Sequence, residues 1–253
     1  MNVKVKKALL EGGLVFVGIF LALILENYFA DISLRDKQRR LLEELTVDLD
    51  ETISDIENDT RDYNEFMDVT KTVISILNQK YSDLISSRTS VEETLAGSAK
   101  ICANYAFVVP KTSTYESVKS LGIDLIEDDL LRTQITSFYE LTLDRISEAE
   151  RRVYDFTERE CWPYIFQNFK WTSTMNLSTR DVRFGTDDYM MEWIEFVGLR
   201  AINYEELLTD QYFRSLLGQI FLRRSWTLVH YMRGLEEAVL LKASIMNYLG
   251  QME

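Results

Sequence analysis

Helix-breaking punctuation is scarce in this chain. Its 253 residues include two prolines, Pro110 and Pro163, and ten glycines, and neither type occurs between Gly18 and Gly97. That gap excludes a sheet of many short strands joined by tight turns and predicts long helices. Two cysteines, Cys102 and Cys161, are too few for a disulfide framework and lack metal-site spacing. Two free thiols fit a reducing compartment. The single histidine, His230, sits in Leu228-Val229-His230-Tyr231 and reads as a helix-packing residue rather than a catalytic base. No serine or cysteine has a nucleophile context, and there is no P-loop or glycine-rich dinucleotide turn. The acid pairs Glu43-Glu44, Asp128-Asp129, Glu205-Glu206 and Glu236-Glu237 fit helix starts or solvated faces. No enzyme activity is expected, and no catalytic residue, cofactor or metal site is assigned.

Surplus positive charge is also missing. The formal net charge is −13, which disfavours a general nucleic-acid binder, because neutralising phosphates takes surplus Lys and Arg. Most of the charge is local: Glu43 to Asp68 holds eleven acids and one base, a balance of −10, leaving −3 for the rest. A local basic site elsewhere is therefore compatible with the average.

What is present begins with an apolar run from Leu9 to Ala30. As a helix it spans roughly 33 Å, against a hydrocarbon core of about 30 Å. The uninterrupted part, Gly12 to Leu25, covers only about 21 Å, so Glu11 or Glu26 must reach the lipid boundary. The run is long for the apolar region of a signal peptide, lacks a small-residue cleavage site, and continues straight into a charged helix. It is expected to be an uncleaved single-pass anchor in the lipid bilayer. Basic residues flank both ends; their slight bias favours a cytoplasmic soluble domain. At 100° per residue, Glu11, Val15, Gly18, Ala22, Leu25 and Glu26 share about 100° of arc. Small residues four apart allow close helix approach in lipid. One reading is a plain tether with its acids among the headgroups. The sharper one is a homo-oligomer with this stripe lining a central axis, where carboxylates select cations.

Beyond the anchor, Leu42, Leu49, Ile56, Tyr63, Thr70 and Leu77 recur every seven residues, with a second row at Thr46, Ile53, Thr60, Met67 and Ile74. Five heptads predict a coiled coil between subunits or a long helix packing on its own domain. Around a central axis the acids of this helix would form a negative vestibule; the alternative is an ordinary solvated face. Ser82 to Ser90 reads as a polar connector, and Val91 to Val108 as a helix. A cap before Tyr115 to Leu121 follows, with Gly122 closing that helix. Glu127 to about Glu160 reads as one helix with Leu130, Leu131, Ile135, Phe138, Leu141 and Ile146 inward, stopped by Pro163. Short helices around Tyr189–Val197 and Tyr204–Leu208 precede a final helix from about Thr209 to Leu249.

The best ligand candidate is the aromatic, basic stretch near Trp162 to Trp171. Arg151, Arg152, Arg159, Trp162, Lys170, Trp171, Arg180 and Arg183 combine stacking rings with guanidinium and ammonium groups, as single-stranded nucleic acid or nucleotides require. Local acids (Asp155, Glu158, Glu160, Asp181) roughly balance that charge, so an aromatic mini-core or a subunit interface is the competing reading. Arg223-Arg224 with Trp226 is a second, weaker candidate. The fold class is all-α, in four stretches: anchor 1–30, long-helix bundle 31–157, aromatic and basic insertion 158–203, and a returning bundle helix 204–253.

Glu11, Gly18, Ile19, Ala22, Leu23, Asn27 and Tyr28 resemble the anchor of an uncharacterised family of bacterial membrane proteins: Gly-Glu, then Gly-Ile, Ala-Leu and a polar Asn-Asn-Trp-like turn. Glu26 stands where that pattern usually has Asn. Thr114 to Gly122, with Phe138-Tyr139 in the next helix, is also similar to the family. The resemblance covers about 9–150 and 209–250; 158–203 departs most. It implies one anchor in the bacterial inner membrane, a helical soluble domain and no enzyme activity. In architecture the chain is similar to the membrane channel effector of Hailong-type anti-phage defence. That likeness implies a homo-oligomer, a tetramer by preference, whose channel is controlled by a nucleotide or oligonucleotide signal from a partner nucleotidyltransferase. A non-conducting membrane-tethered scaffold is the alternative.

Overall fold

The structure is a computed structural model that describes residues 3–96, 105–171 and 199–252. It is all-α apart from one short two-stranded ribbon. Helix α1, Val3–Leu77, runs 75 residues without a break, about 112 Å at 1.5 Å per residue. Nothing in its sequence after Gly18 interrupts the hydrogen-bond ladder. Then follow α2 (Tyr81–Ser86), α3 (Arg88–Ala96), α4 (Ser113–Leu121), a 3₁₀ turn (Ile123–Leu125), α5 (Asp129–Ser137), α6 (Leu143–Phe156), α7 (Trp162–Asn168), α8 (Tyr204–Thr209) and α9 (Gln211–Gln251). Strands β1 (Phe169–Trp171) and β2 (Leu199–Ala201) pair antiparallel, with Lys170 opposite Arg200.

The first heptad row is the core face of α1: Leu42, Leu49, Ile56, Tyr63, Thr70 and Leu77 are all at most 1% exposed. The second row holds at Met67, which is buried, and shifts by one position elsewhere: Leu45, Thr52 and Val73 are fully buried, whereas Thr46, Ile53, Thr60 and Ile74 are half-buried. This face is covered within the chain itself, so these heptads pack on their own domain. The acids of α1 mostly point outward, several in ion pairs such as Arg39 with Glu43 at 2.9 Å.

Several expectations about the middle of the chain change. The stretch 82–90 is largely helical, in α2 and α3, rather than a connector. The helix expected to Val108 is described as α3 up to Ala96; 97–104 lie outside the described residues, and 105–112 is non-helical. Two physical causes act at its far end. Pro110 disfavours helical backbone at Val109, and the Val108 N–H is taken by a side-chain carboxylate. Pro163 does not stop its helix. From Asp129 to Asn168 the helical path continues through two π turns, Phe138–Thr142 and Thr157–Cys161, and Pro163 lies in the first turn of α7. The missing proline N–H matters least at a helix start. The inward face is narrower than expected: Leu131, Ile135, Phe138 and Ile146 are buried, but Leu130, beside Leu131, and Leu141, inside the first π turn, are 68% and 53% exposed. The helix expected around 189–197 lies outside the described residues. Gly122, with φ +99°, closes α4 as expected.

The chain forms two compact units that cut across the four sequential stretches. One comprises Met1–Glu51, Lys111–Tyr139 and Val239–Glu253. Within it the Asp48 carboxylate accepts the Thr114 N–H at the start of α4 (3.3 Å). Tyr115 stacks on Tyr139 at 4.5 Å and 6°, and Gln38 donates to Tyr248 Oη (3.1 Å). The other comprises Thr52–Pro110 and Glu140–Ala238. Its α6 and α9 pack antiparallel: Thr142 hydrogen-bonds Glu237, Thr227 Oγ1 approaches the Ala149 carbonyl (3.4 Å), and Gly234 faces Ile146. A methyl group on Gly234 would meet Ile146 Cδ1 at 2.5 Å, so the close approach needs glycine or a moved isoleucine.

Candidate functional sites

The anchor half of α1 is long and apolar enough to cross a membrane, with a mean hydropathy of 1.6 in its most apolar window and none of that window buried. Phe16, Ile19, Phe20, Leu21 and Leu23 are each more than half exposed. Gly18, Ala22, Leu25 and Glu26 lie on one helical stripe, and nothing stands within 4 Å of a Cβ built on Gly18. Glu11 and Val15 belong to the same helix, but their side chains lie outside the described residues.

Five of the eight ligand candidates have described side chains. Arg151 pairs with Glu148 (2.8 Å) and Asp155 (3.0 Å), Arg152 with Glu148 (3.0 Å), and Arg159 Nη2 stands 4.0 Å from Asp155. Those hydrogen bonds hold Glu148 below the usual carboxylate range, so an anion would have to compete with it. Trp162 stacks on the exposed Phe166 at 5.4 Å and 19°. Lys170 faces solvent on β1. Trp171 belongs to β1, with its side chain outside the described residues, as Arg180 and Arg183 are altogether. The aromatic stretch itself divides in two. Tyr164, Ile165 and Phe169 point inward, with Tyr164 stacked on Phe213 at 5.4 Å and hydrogen-bonded to Asp210 (2.6 Å). Half of the stretch is therefore core.

Sequence reading passed over a buried polar cluster between α1, α6 and α9. Glu150 is 2% exposed, and one of its oxygens accepts both the Val108 N–H (2.9 Å) and the Tyr231 hydroxyl (2.8 Å). Burial pushes its carboxyl up to about 7 against the pull of both hydrogen bonds, and the charge of Asp59 adds to the rise. Asp59 is itself pushed up to about 6, first by burial and then by Asp62 and Asp55. The Tyr63 and Tyr231 rings meet edge-on at 5.4 Å, and burial pushes both phenols upward. Arg224 is fully buried, its guanidinium 5.1 Å from the Phe66 ring centre and 6.0 Å from that of Tyr63. A legible signal existed: Glu150 falls between Ile146 and Val153, and Arg224 between Ile220 and Thr227, at core spacing on their helices.

On the outer flank of the α6–α9 pair lies a cationic strip. Exposed Arg145 and Arg152 are two turns apart on α6, and Trp226, His230 and Arg233 follow at i, i+4 and i+7 on α9. Trp226 is 55% exposed and meets the His230 ring edge-on at 5.2 Å. Burial, then Arg233, Arg145 and Arg152, hold His230 below the ordinary histidine value. Next to the strip, Arg223 covers the Phe156 ring at 4.6 Å. In a chain of net charge −13 these arginines gather beside an open aromatic face, although Arg152 is already held by Glu148 (3.0 Å). A separate cleft of about 430 Å³ is lined by Lys71, Ile74, Ser75, Asn78 and Phe221, none of them a sequence candidate. Among the described residues no group of His, Cys, Asp and Glu is arranged to hold a metal ion.

No curated protein and no solved structure matches this chain. One family model does, over residues 11–206. The match starts at Glu11, passes through the 158–203 stretch that departs most from the resemblance seen in sequence, and ends before α9. The chain belongs to this family, described as a family of unknown function, DUF6090.

Proposed function

We propose that this protein is a single-pass membrane effector that self-associates and conducts cations under the control of a ligand read by its helical domain. The observation that carries the reading is α1: one helix, unbroken over 75 residues, holds the exposed apolar anchor and the buried core face of the domain. A continuous helix transmits a rotation or tilt, whereas a flexible linker would absorb it. The stripe of Gly18, Ala22, Leu25 and Glu26, with Glu11 and Val15 on the same arc, supplies small residues for helix approach and carboxylates for cation selection. The soluble domain is assigned to the cytoplasmic side of a bacterial inner membrane. The ligand is assigned to nucleotides or short oligonucleotides made by a partner nucleotidyltransferase, as in Hailong-type anti-phage defence. The Arg145, Arg152 and Arg233 strip beside exposed Trp226 supports that ligand class, since stacked bases contribute about 1–3 kcal/mol each.

The test is conductance of the purified full chain in planar bilayers, as wild type, Glu11→Gln and Glu26→Gln. A wild-type cation current with reduced selectivity in at least one variant is expected. No wild-type current, or unchanged selectivity in both variants, rejects the pore. A tether without conductance has its own support: Glu43, Asp50 and Glu51 are already paired with Arg39, Lys242 and Lys111, which reduces any negative vestibule.

A further inference from the structure

Helix α9 carries two heptad rows on opposite faces. The inner row, Ile220, Arg224, Thr227, Tyr231, Ala238 and Leu241, is at most 2% exposed and packs within the chain. The outer row alternates three and four residues in the same way: Leu222, Val229, Met232, Val239, Ala243 and Met246. All of these face solvent, and the five larger ones are 48–66% exposed. Leu240, 59% exposed, widens the row on one side. Two positions of the row are polar: half-buried Ser225, which donates to the Phe221 carbonyl (2.9 Å), and Glu236, its one charged member. Polar residues in an otherwise apolar row help to fix the register of paired helices at some cost in stability.

We propose that the outer row of α9 is the surface on which a second copy of this chain docks, through its own α9, parallel and in register. Three observations select a second copy. The spacing is that of helix-on-helix packing. Chains anchored by the same helix in one membrane share an orientation, so equivalent helices run parallel and meet residue for residue about a two-fold axis. The exposed apolar side chains of the row, Leu222, Val229, Met232, Val239, Leu240 and Met246, form a patch on the order of several hundred Å² per copy, the scale of the ~800 Å² that each partner buries in a standard interface. A solvent-facing patch of that size marks an interaction site. The α1 heptads, covered within the chain, leave α9 as the described helix with a heptad row open over its length. This inference deepens the self-association proposed above and rests on it.

The test uses the full chain in native membranes, comparing Met246→Cys with Asn64→Cys, an exposed position on α1. Mild oxidation is expected to give a disulfide-linked dimer at least tenfold more abundant for Met246→Cys than for Asn64→Cys or wild type. Adding Val239→Lys to the Met246→Cys chain should abolish it. The oligomeric state in detergent, by light scattering, separates the two failures. An oligomeric chain whose Met246→Cys links no better than Asn64→Cys overturns the α9 interface and leaves the membrane assembly standing. A monomeric chain overturns both.

Discussion

The two halves of α1 share one helical geometry and expose opposite kinds of surface. Between Phe16 and Leu34, large apolar side chains on all sides of the helix are 41–71% exposed. Between Leu42 and Leu77 the large apolar residues concentrate on one stripe, at most 7% exposed at Leu42, Leu45, Leu49, Ile56, Tyr63, Met67, Val73 and Leu77, while acids dominate the solvent side, where Val47 is an exception. A helix apolar all round has no use for water on any face; a striped one needs water on the back and a partner on the front. The change occurs within a few residues, around Arg35 to Arg40, without a break in the backbone. Partition between phases is therefore written into the arrangement of side chains along a helix that is itself indifferent to it.

The comparison can be broken at either end, and the largest effect is expected at the anchor. Deleting residues 1–30 should move the chain from the membrane pellet to the aqueous fraction after carbonate extraction; a truncated chain still in the pellet would mean that another surface holds the bilayer. Next come substitutions in the buried stripe. Leu49→Ala should lower unfolding free energy by about 2–5 kcal/mol, measured by urea unfolding in detergent, whereas Leu21→Ala should leave the midpoint unchanged. Equal losses from the two would erase the distinction between the halves.

A smaller effect, with a defined sign, attaches to the buried acids. In the folded chain Glu150 keeps its proton up to about 7 and Asp59 up to about 6; unfolded, both release it near the ordinary carboxylate value of about 4. Folding therefore draws stability from the protonated forms, fully below about pH 4, and loses it as pH rises through 6 to 7. Tyr63 and Tyr231 share the cluster; burial pushes both phenols upward, so they stay neutral across that window. Glu150→Gln should flatten the fall in urea midpoint between pH 5 and 8. An unchanged slope would exclude Glu150 as its source. The smallest effect is expected at Val47, 58% exposed on the solvent side of the striped half: Val47→Ala should change stability by less than about 0.5 kcal/mol.

Much of this was legible in the sequence, and the misses have definable causes. The seven-residue row from Leu42 to Leu77 and the positive-φ glycine at 122 follow from local rules and hold. The companion row holds at Met67 and slips by one position elsewhere, because neighbouring pairs such as Leu45 and Thr46 or Thr52 and Ile53 fit a seven-residue spacing equally well. Pro163 was misread because a proline signals a stop or a start equally, and a preceding π turn cannot be seen in a one-dimensional pattern. Leu141 lies outside the core within the π turn at Phe138–Thr142, which rephases the helix, and Leu130 lies outside because the inward face before that turn is set by Leu131, Ile135 and Phe138. At the candidate sites, composition found aromatic and basic residues but could not tell which guanidinium groups were already held by Glu148 and Asp155. It also missed that Arg145, Arg152 and Arg233, from two helices, converge on the single histidine. That depends on tertiary packing, set partly by Gly234 and Ile146.

The β1–β2 ribbon has a practical consequence. With Phe169 paired to Ala201 and Trp171 to Leu199, the end of β1 and the start of β2 are held side by side. In engineering terms the ribbon is a clamp: its three cross-strand pairs fix where the chain leaves α7 and where it returns ahead of α8, whatever lies between.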